Sequence, residues 1–213
     1  EMFPLIHSDR DNPLELFQVW LNLPKASKFV EPHYKMLWND EIPVISQEDS
    51  EGKTVVVNLI AGVLNGQQSP SPTPDSWAAE SANQVAVMTI KLEANASWVL
   101  PGTSAEANRT LYFYRGQNLQ IEGELIPPYH SIQVQADEDI RLLAGDEDCF
   151  LLLLQGKPIN EPIAQHGPFV MNTDEEIQDA FREYRQTQFG GWPWPDYEPT
   201  HDRGKGRFAI HSD

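Results

Sequence analysis

The sequence predicts an all-β sandwich or barrel that carries one helix near its carboxyl end. Short segments rich in β-branched, aromatic and aliphatic residues recur along the chain, with turn residues between them. After residue 173 the apolar period changes from two residues to the 3.6 residues of a helix. With 213 residues, 40% of them hydrophobic, the chain is large enough to bury a substantial core.

The predicted strands begin with an apolar segment at residues 14–23, which Pro24 ends because proline cannot donate to a β-ladder. Gly62 interrupts the second predicted strand, and Pro127 and Pro128 mark a later turn. The remaining predicted strands are residues 54–64, 85–92, 110–114, 119–126, 131–134, 140–144 and 149–154.

A single helix is predicted within residues 173–189. Thr173 and Glu176 have the spacing of a capping box, in which each side chain satisfies a backbone N–H at the start of the helix. Ile177 and Phe181 lie four residues apart and begin its apolar face, and Gly190 is placed to end it. Beyond the helix, residues 191–213 contain Trp192 and Trp194, and we expect so aromatic a tail to be ordered and docked on the domain.

Composition limits the classes of partner. Lys and Arg total 15 against 32 Asp and Glu, giving a formal net charge of −17 that opposes direct binding to nucleic acid. No apolar stretch reaches the roughly 18 residues that would predict a membrane-spanning helix. The single cysteine, Cys149, opens an apolar run and is predicted to be a buried thiol, so we expect a cytoplasmic protein.

Three strings of residues resemble the pirin family, and together they extend over nearly the whole chain. The string at residues 16–24, Leu-Phe-Gln-Val-Trp-Leu-Asn-Leu-Pro, looks like the strand that enters a pirin's second cupin domain. Residues 161–173, Glu-Pro-Ile-Ala-Gln-His-Gly-Pro-Phe-Val-Met-Asn-Thr, are similar to the signature before the closing helix. Residues 189–195, Phe-Gly-Gly-Trp-Pro-Trp-Pro, resemble the tail of bacterial members.

The resemblance implies a two-domain cupin, or bicupin, built from jelly-roll β-sandwiches, in which the amino-terminal domain binds one iron ion through three His and one Glu. By this comparison residues 1–13 are the end of a truncated amino-terminal cupin domain. Residues 14–190 are the carboxy-terminal cupin domain, and residues 191–213 are the docked tail. The upstream half of the same protein is then an expected partner of this chain.

The resemblance also supplies the candidate metal ligands. Two of the family's ligands come from a His-x-His string, which does not occur in this sequence, and two come from a His-Ser-Glu string. The latter string reads His7-Ser8-Asp9 here, so His7 and Asp9 are the predicted metal ligands, with a carboxylate one methylene shorter than in the family. If the two side chains lie on a strand, their spacing directs them to one side. The competing interpretation is an exposed polar pair. We expect Fe(II) in the complete protein and weak or no iron binding by this chain.

Two classes of function stay open from the sequence. The first is an iron-dependent quercetin (flavonol) 2,3-dioxygenase-type enzyme when the protein is complete, with a small aromatic substrate. The alternative is a non-catalytic binding module, either a metal-sensing transcription co-regulator or a structural protein, that contacts a protein partner. A degenerate or truncated gene product is a third interpretation. His33, His130, His166, His201 and His211 are scattered, and none of them is expected to be catalytic.

Overall fold

The structure, a computed structural model, describes residues 3–192, 197 and 200–206. Its chain divides into two compact units, one formed by residues 35–160 and the other by residues 1–34 together with 161–213. The expected boundaries after residues 13 and 190 refer to family domains rather than to compact units, and they stay a prediction.

The unit of residues 35–160 is a sandwich of two antiparallel sheets. Its six-stranded sheet has the order β11-β8-β13-β6-β3-β2, and its four-stranded sheet has the order β10-β9-β12-β7. A short hairpin, β4-β5, follows β3. The strands are β2 Val44–Glu48, β3 Thr54–Ala61, β4 Val63–Leu64, β5 Gln67–Gln68, β6 Ala86–Leu92, β7 Ser97–Leu100, β8 Asn108–Arg115, β9 Leu119–Ile121, β10 Glu124–Ile126, β11 His130–Gln135, β12 Ile140–Leu143 and β13 Cys149–Gly156.

Alternation along the strands builds the core between the two sheets. In β3 every second residue, Val55, Val57 and Leu59, is fully buried, as a strand with one covered face requires. Leu151 and Leu153 of β13 are fully buried in the same cluster, and Cys149 is buried with them, which confirms the prediction of a buried thiol. The predicted all-β class is therefore confirmed, with the sheet connections of a jelly roll.

The described residues of the other unit form an α-helix, α1 (Asp174–Thr187), and four short strands. These strands are β1 Phe3–Leu5, β14 Ala164–His166, β15 Phe169–Met171 and β16 Thr200–Asp202. Strand β1 pairs in parallel with β16, and β14 pairs with β15 in a hairpin. Helix α1 begins at the predicted capping box, in which Thr173 accepts the Glu176 N–H and Glu176 accepts the Thr173 N–H.

The helix packs on the β14-β15 hairpin through aromatic rings. Phe169 meets Phe181 edge to face, with ring centroids 4.7 Å apart, and also contacts Tyr184. In the tail, the Trp192 ring stacks on Tyr197 at 6.2 Å. Trp194 lies outside the described residues, so its docking stays a prediction.

The predicted strand at residues 14–23 is wrong. Residues 6–24 are all described and form neither a helix nor a strand, and a short 3₁₀ turn, Lys25–Ser27, follows them. The segment carries apolar side chains on both faces. A strand of that kind is stable only when another layer of the protein covers each face. The sequence did not predict β2 and β7, which have five and four residues.

Candidate functional site

The two predicted metal ligands lie just after β1 and not on a strand. His7 precedes a bend at residues 8–10, which contains Asp9. The loop is closed by Asn12, whose Oδ1 accepts the His7 backbone N–H at 2.8 Å and whose Nδ2 donates to the His7 carbonyl oxygen at 2.9 Å. The expectation that both side chains point to one side of a strand is therefore wrong.

The surroundings of His7 do not favour a metal ion. An Arg10 guanidinium nitrogen lies 3.3 Å from both ring nitrogens of His7, so a fixed positive charge lies against the ring and would repel a metal cation there. Asp9 is exposed to solvent. Within the described part of the chain, no group of three or more His, Cys, Asp or Glu side chains is arranged to hold a metal ion. As described, the pair does not fit the iron ion that the fold family implies, because such an ion needs several N and O ligands in fixed geometry.

The other histidines are separate from this pair. His130 places Nδ1 3.1 Å from the Pro128 carbonyl oxygen, and His201 places Nδ1 3.0 Å from the Asp202 carbonyl oxygen. The exposed His166 ring packs edge to face on Phe181 at 5.7 Å. His211 lies outside the described residues.

The interior of the sandwich is filled by apolar side chains. Its largest fully buried members are aliphatic apart from one ring, and they are Phe113, Leu59, Ile90, Leu92, Leu100, Leu111, Leu119, Leu142, Leu151, Leu153, Val55 and Val57. Among the described residues the buried polar or charged class has one member, Arg109. These buried side chains offer no nitrogen or oxygen ligands to a metal ion.

Arg109 is a buried cation that the sequence analysis did not identify. Its side chain is 3% exposed and donates to Gln155 Oε1 at 2.8 Å, to the Pro101 carbonyl oxygen at 3.0 Å and to Thr103 Oγ1 at 3.3 Å. Burial lowers the pKa of Arg109, and the charge of Asp139 partly opposes that shift. Arg109 therefore fastens the chain after β7 to the end of β13, which is a structural role.

Concave regions lie on the surface of this unit. The larger of two of them, of about 540 Å³, lies between the turn after β8 and the turn after β10, and Arg115, Pro127 and Tyr129 contribute to its lining. The Arg115 guanidinium lies 3.6 Å from the centre of the Phe150 ring, a cation–π geometry that holds it in place.

The smaller concave region, of about 330 Å³, lies beside β2 and β7 and includes Asp49 and Arg141. Asp49 has a lowered pKa because its carboxylate accepts backbone N–H groups, of which that of Ser97 contributes most. These bonds fully engage Asp49 in holding the loop after β2, so the carboxylate is structural.

In the other unit, the residues just after the first pirin-like string contact the second such string, at residues 161–173, and the helix that follows it. Glu161 Oε2 accepts the Lys25 backbone N–H at 2.7 Å and the Asn172 side-chain amide at 2.9 Å. Lys25 Nζ forms an ion pair with Glu176 Oε1 at 2.6 Å, and Glu176 Oε2 accepts the Asn172 N–H at 2.9 Å. Lys28 Nζ donates to the Val170 carbonyl oxygen at 3.0 Å. The spacing of these residues in sequence could not have predicted the network, because it joins positions far apart in the chain.

Comparison with known proteins finds pirins and pirin-like proteins. A sequence model described as the pirin C-terminal cupin domain matches residues 87–190. Human pirin is 29% identical over 193 residues, which are 84% of this chain and 59% of pirin. A tomato pirin-like protein is 29% identical over 173 residues, 79% of this chain and 54% of its own length.

A solved structure is also similar to this chain. The crystal structure of quercetin 2,3-dioxygenase from Acinetobacter baumannii matches with a TM-score of 0.67 and 25% identity, over 81% of this chain and 56% of that chain. The chain thus spans between 54% and 59% of the length of these three proteins. Residues 87–190 thus match the pirin C-terminal cupin domain, and the chain is similar over most of its length to pirins and to a quercetin 2,3-dioxygenase.

Proposed function

We propose that this chain works in a pirin-like protein of the quercetin 2,3-dioxygenase type, in which the sandwich of residues 35–160 is a structural half without a metal. The observation that carries the proposal is the apolar interior of the sandwich, from Val55 on β3 to Leu153 on β13. A cupin that holds a catalytic metal needs polar ligands directed into such an interior. The similarity to the Acinetobacter baumannii enzyme supports the assignment to this type of protein.

In this proposal the chemistry belongs to the region around His7 and Asp9, supplemented by ligands from outside the described residues. Fe(II) is the cofactor that the pirin resemblance implies, and a small aromatic flavonol is the substrate. The described arrangement does not provide that site by itself, because Arg10 lies against the His7 ring. We therefore expect the isolated 213-residue chain to bind iron weakly and not to oxidise quercetin.

The test compares the chain with a fusion. In the fusion, the part of the Acinetobacter baumannii enzyme that this chain does not match is placed ahead of Glu1. Iron content by elemental analysis and quercetin consumption are measured for both proteins. We expect substoichiometric iron and no consumption for the chain, and near-stoichiometric iron with consumption for the fusion.

Variants of the fusion locate the site. His7→Ala should remove the iron because an imidazole ligand is lost, whereas Asp9→Glu should retain it by restoring the longer carboxylate. His130→Ala, at an exposed histidine in the sandwich, is the matched control and should change neither quantity. Stoichiometric iron in the 213-residue chain, or full iron retention by the His7→Ala fusion, would contradict the assignment.

A non-catalytic binding module is the second candidate. The exposed apolar side chains beside the larger concave region favour it, since Leu125 is 62% exposed and Tyr129 is 86% exposed. Such a surface suits a protein partner of regulatory or structural type. A fusion that holds iron but does not consume quercetin would move the assignment to this class.

A further inference from the structure

The larger concave region of the sandwich has two walls of different chemistry. One wall is the turn at residues 115–118, which carries the Arg115 guanidinium and the side-chain amides of Gln117 and Asn118. The other wall is residues 125–129, Leu-Ile-Pro-Pro-Tyr, and it is mainly apolar. The volume of about 540 Å³ is within the range of roughly 300–1,000 Å³ that small-molecule sites occupy. A cation beside an apolar wall suits a ligand that is anionic at one end and apolar at the other.

The cation of the polar wall is held in place by an aromatic ring. The Arg115 guanidinium lies 3.6 Å from the centre of the Phe150 ring on β13, and stacking of this kind pre-organises the guanidinium for bidentate hydrogen bonds from its edge. The pKa of Asp148 is lowered first by its hydrogen bond with Lys91, whose Nζ is 2.8 Å away, and further by the charge of Arg115. Because a guanidinium has several N–H donors, Arg115 can act on Asp148 and on a ligand carboxylate together.

The turn that carries Arg115 is packed tightly against the loop before β13. Gly116 has a φ of +117°, and a Cβ at this position would lie 2.6 Å from the Asp148 carbonyl oxygen. A Cβ at Gly145 would lie 2.6 Å from the Cβ of Asn118. Because the two backbones approach so closely, the polar wall has little freedom to move. Its donors are therefore in position before a ligand binds, which lowers the entropic cost of binding.

Tyr129, in the apolar wall, has a strained backbone conformation. Its φ is +62°, in the left-handed region, which costs a bulky residue free energy that glycine does not lose. Its N–H donates to the Phe113 carbonyl oxygen at 2.7 Å, a bond that holds this conformation. The ring is 86% exposed at the rim of the concave region. Strain of this kind clusters at ligand sites, so an exposed tyrosine at a position that suits glycine points to a ring that contacts a ligand.

We propose that the larger concave region binds a small aromatic carboxylate, whose carboxylate accepts hydrogen bonds from Arg115 and whose ring packs on Tyr129 and Leu125. The planar guanidinium can donate two parallel hydrogen bonds to a carboxylate. The net charge of −17 opposes an anion at long range, but in about 0.15 M salt the charges beyond about 8 Å are largely screened. The inference depends on neither iron nor quercetin oxidation, so it can fail while the dioxygenase assignment holds.

The test compares two ligands of the same shape, the anion 1-naphthoate and the neutral amide 1-naphthamide. Isothermal titration calorimetry of the 213-residue chain, in about 0.15 M sodium chloride, measures the affinity of each. We expect 1-naphthoate to bind with one-to-one stoichiometry. We expect 1-naphthamide to bind more weakly by roughly tenfold, because hydrogen bonds between two charged groups are stronger than those to a neutral amide.

Three variants locate the site. Arg115→Gln removes the cation and should weaken 1-naphthoate binding by roughly tenfold, while 1-naphthamide binding stays unchanged. Tyr129→Gly removes the ring and should weaken 1-naphthoate binding by a similar factor. Because glycine adopts the left-handed conformation without strain, this variant should keep a melting temperature close to that of wild type, which separates lost binding from lost folding. Arg141→Gln, at an exposed arginine of the smaller concave region, is the matched control and should bind both ligands like wild type.

Several outcomes would overturn the proposal. The first is a wild-type chain that shows no saturable binding of 1-naphthoate, which would leave this surface to the protein partner of the binding-module candidate. The second is a 1-naphthamide affinity equal to that of 1-naphthoate, because the cation would then have no role. The third is an Arg115→Gln or Tyr129→Gly variant that binds 1-naphthoate as tightly as wild type. Equal losses in Arg115→Gln and Arg141→Gln would also overturn it, because they would reflect net charge rather than a site.

Discussion

At the scale of single residues, the sandwich depends on one buried cation. Arg109 donates to neutral acceptors, Gln155, Thr103 and a carbonyl oxygen, while the carboxylate of Asp139 acts through its charge. Removing a buried charge of this kind leaves its acceptors unsatisfied and creates a cavity.

Arg109→Ala should therefore lower the free energy of unfolding by roughly 2–4 kcal/mol, through the lost hydrogen bonds and the cavity. Urea denaturation followed by tryptophan fluorescence measures the change. Arg141→Ala, at an exposed arginine of the same sandwich, is the control and should stay within about 0.5 kcal/mol of wild type. Equal losses of unfolding free energy in the two variants would show that buried Arg109 does not stabilise the sandwich more than an exposed arginine does.

The directions of the two predicted metal ligands could not be predicted from the sequence. The spacing of His7 and Asp9 predicts a shared direction only if their backbone is a strand, and the bend after β1 breaks that condition. The contact between Arg10 and the His7 ring also depends on how the backbone bends between these residues, which the sequence does not show. Arg109 carried no sequence signal, because its burial depends on which loops lie over β8.

At the scale of elements, helix α1 was predictable because three independent signals agreed. The period of Ile177 and Phe181, the Thr173–Glu176 capping box and the glycines after the helix all indicate the same boundaries, and the structure has the helix at Asp174–Thr187. Strands with strict alternation, such as β6 and β8, were predicted for the same reason. Residues 14–23 were predicted as a strand and form none, because a segment that is apolar on both faces needs a covering layer on each side to be a strand.

The helix start should be sensitive to both composition and pH. Thr173→Ala removes the cap and should destabilise the helix by about 1 kcal/mol. The pKa of Glu176 is lowered, first by its hydrogen bond with Lys25 and then by the Asn172 N–H. A carboxylate with a lowered pKa contributes stability above its unfolded-state pKa, and that contribution is lost as the pH falls through its folded-state pKa.

Glu176→Gln provides the matched comparison, because glutamine still closes a capping box but does not titrate. Helical ellipticity of wild type should decrease as the pH falls below the ordinary range of a glutamate, and the Glu176→Gln protein should lose less over the same interval. Parallel pH curves for the two proteins would mean that the Lys25–Glu176 pair does not stabilise the helix.

At the scale of the whole molecule, the acidic composition of the chain determines which charged partners it repels. The formal net charge of −17 opposes association with nucleic acid, whose phosphate backbone is also negative. Salt screens this long-range repulsion, since the Debye length falls from about 30 Å at 0.01 M to about 8 Å at 0.15 M.

We therefore expect no appreciable binding of double-stranded DNA in about 0.15 M sodium chloride, because the excess of carboxylates over basic side chains repels the phosphates. Fluorescence anisotropy of a labelled duplex titrated with the chain measures this. Micromolar binding that weakens steeply as salt is raised would contradict the expectation, because such a salt dependence arises when Lys and Arg side chains release counterions from the phosphates.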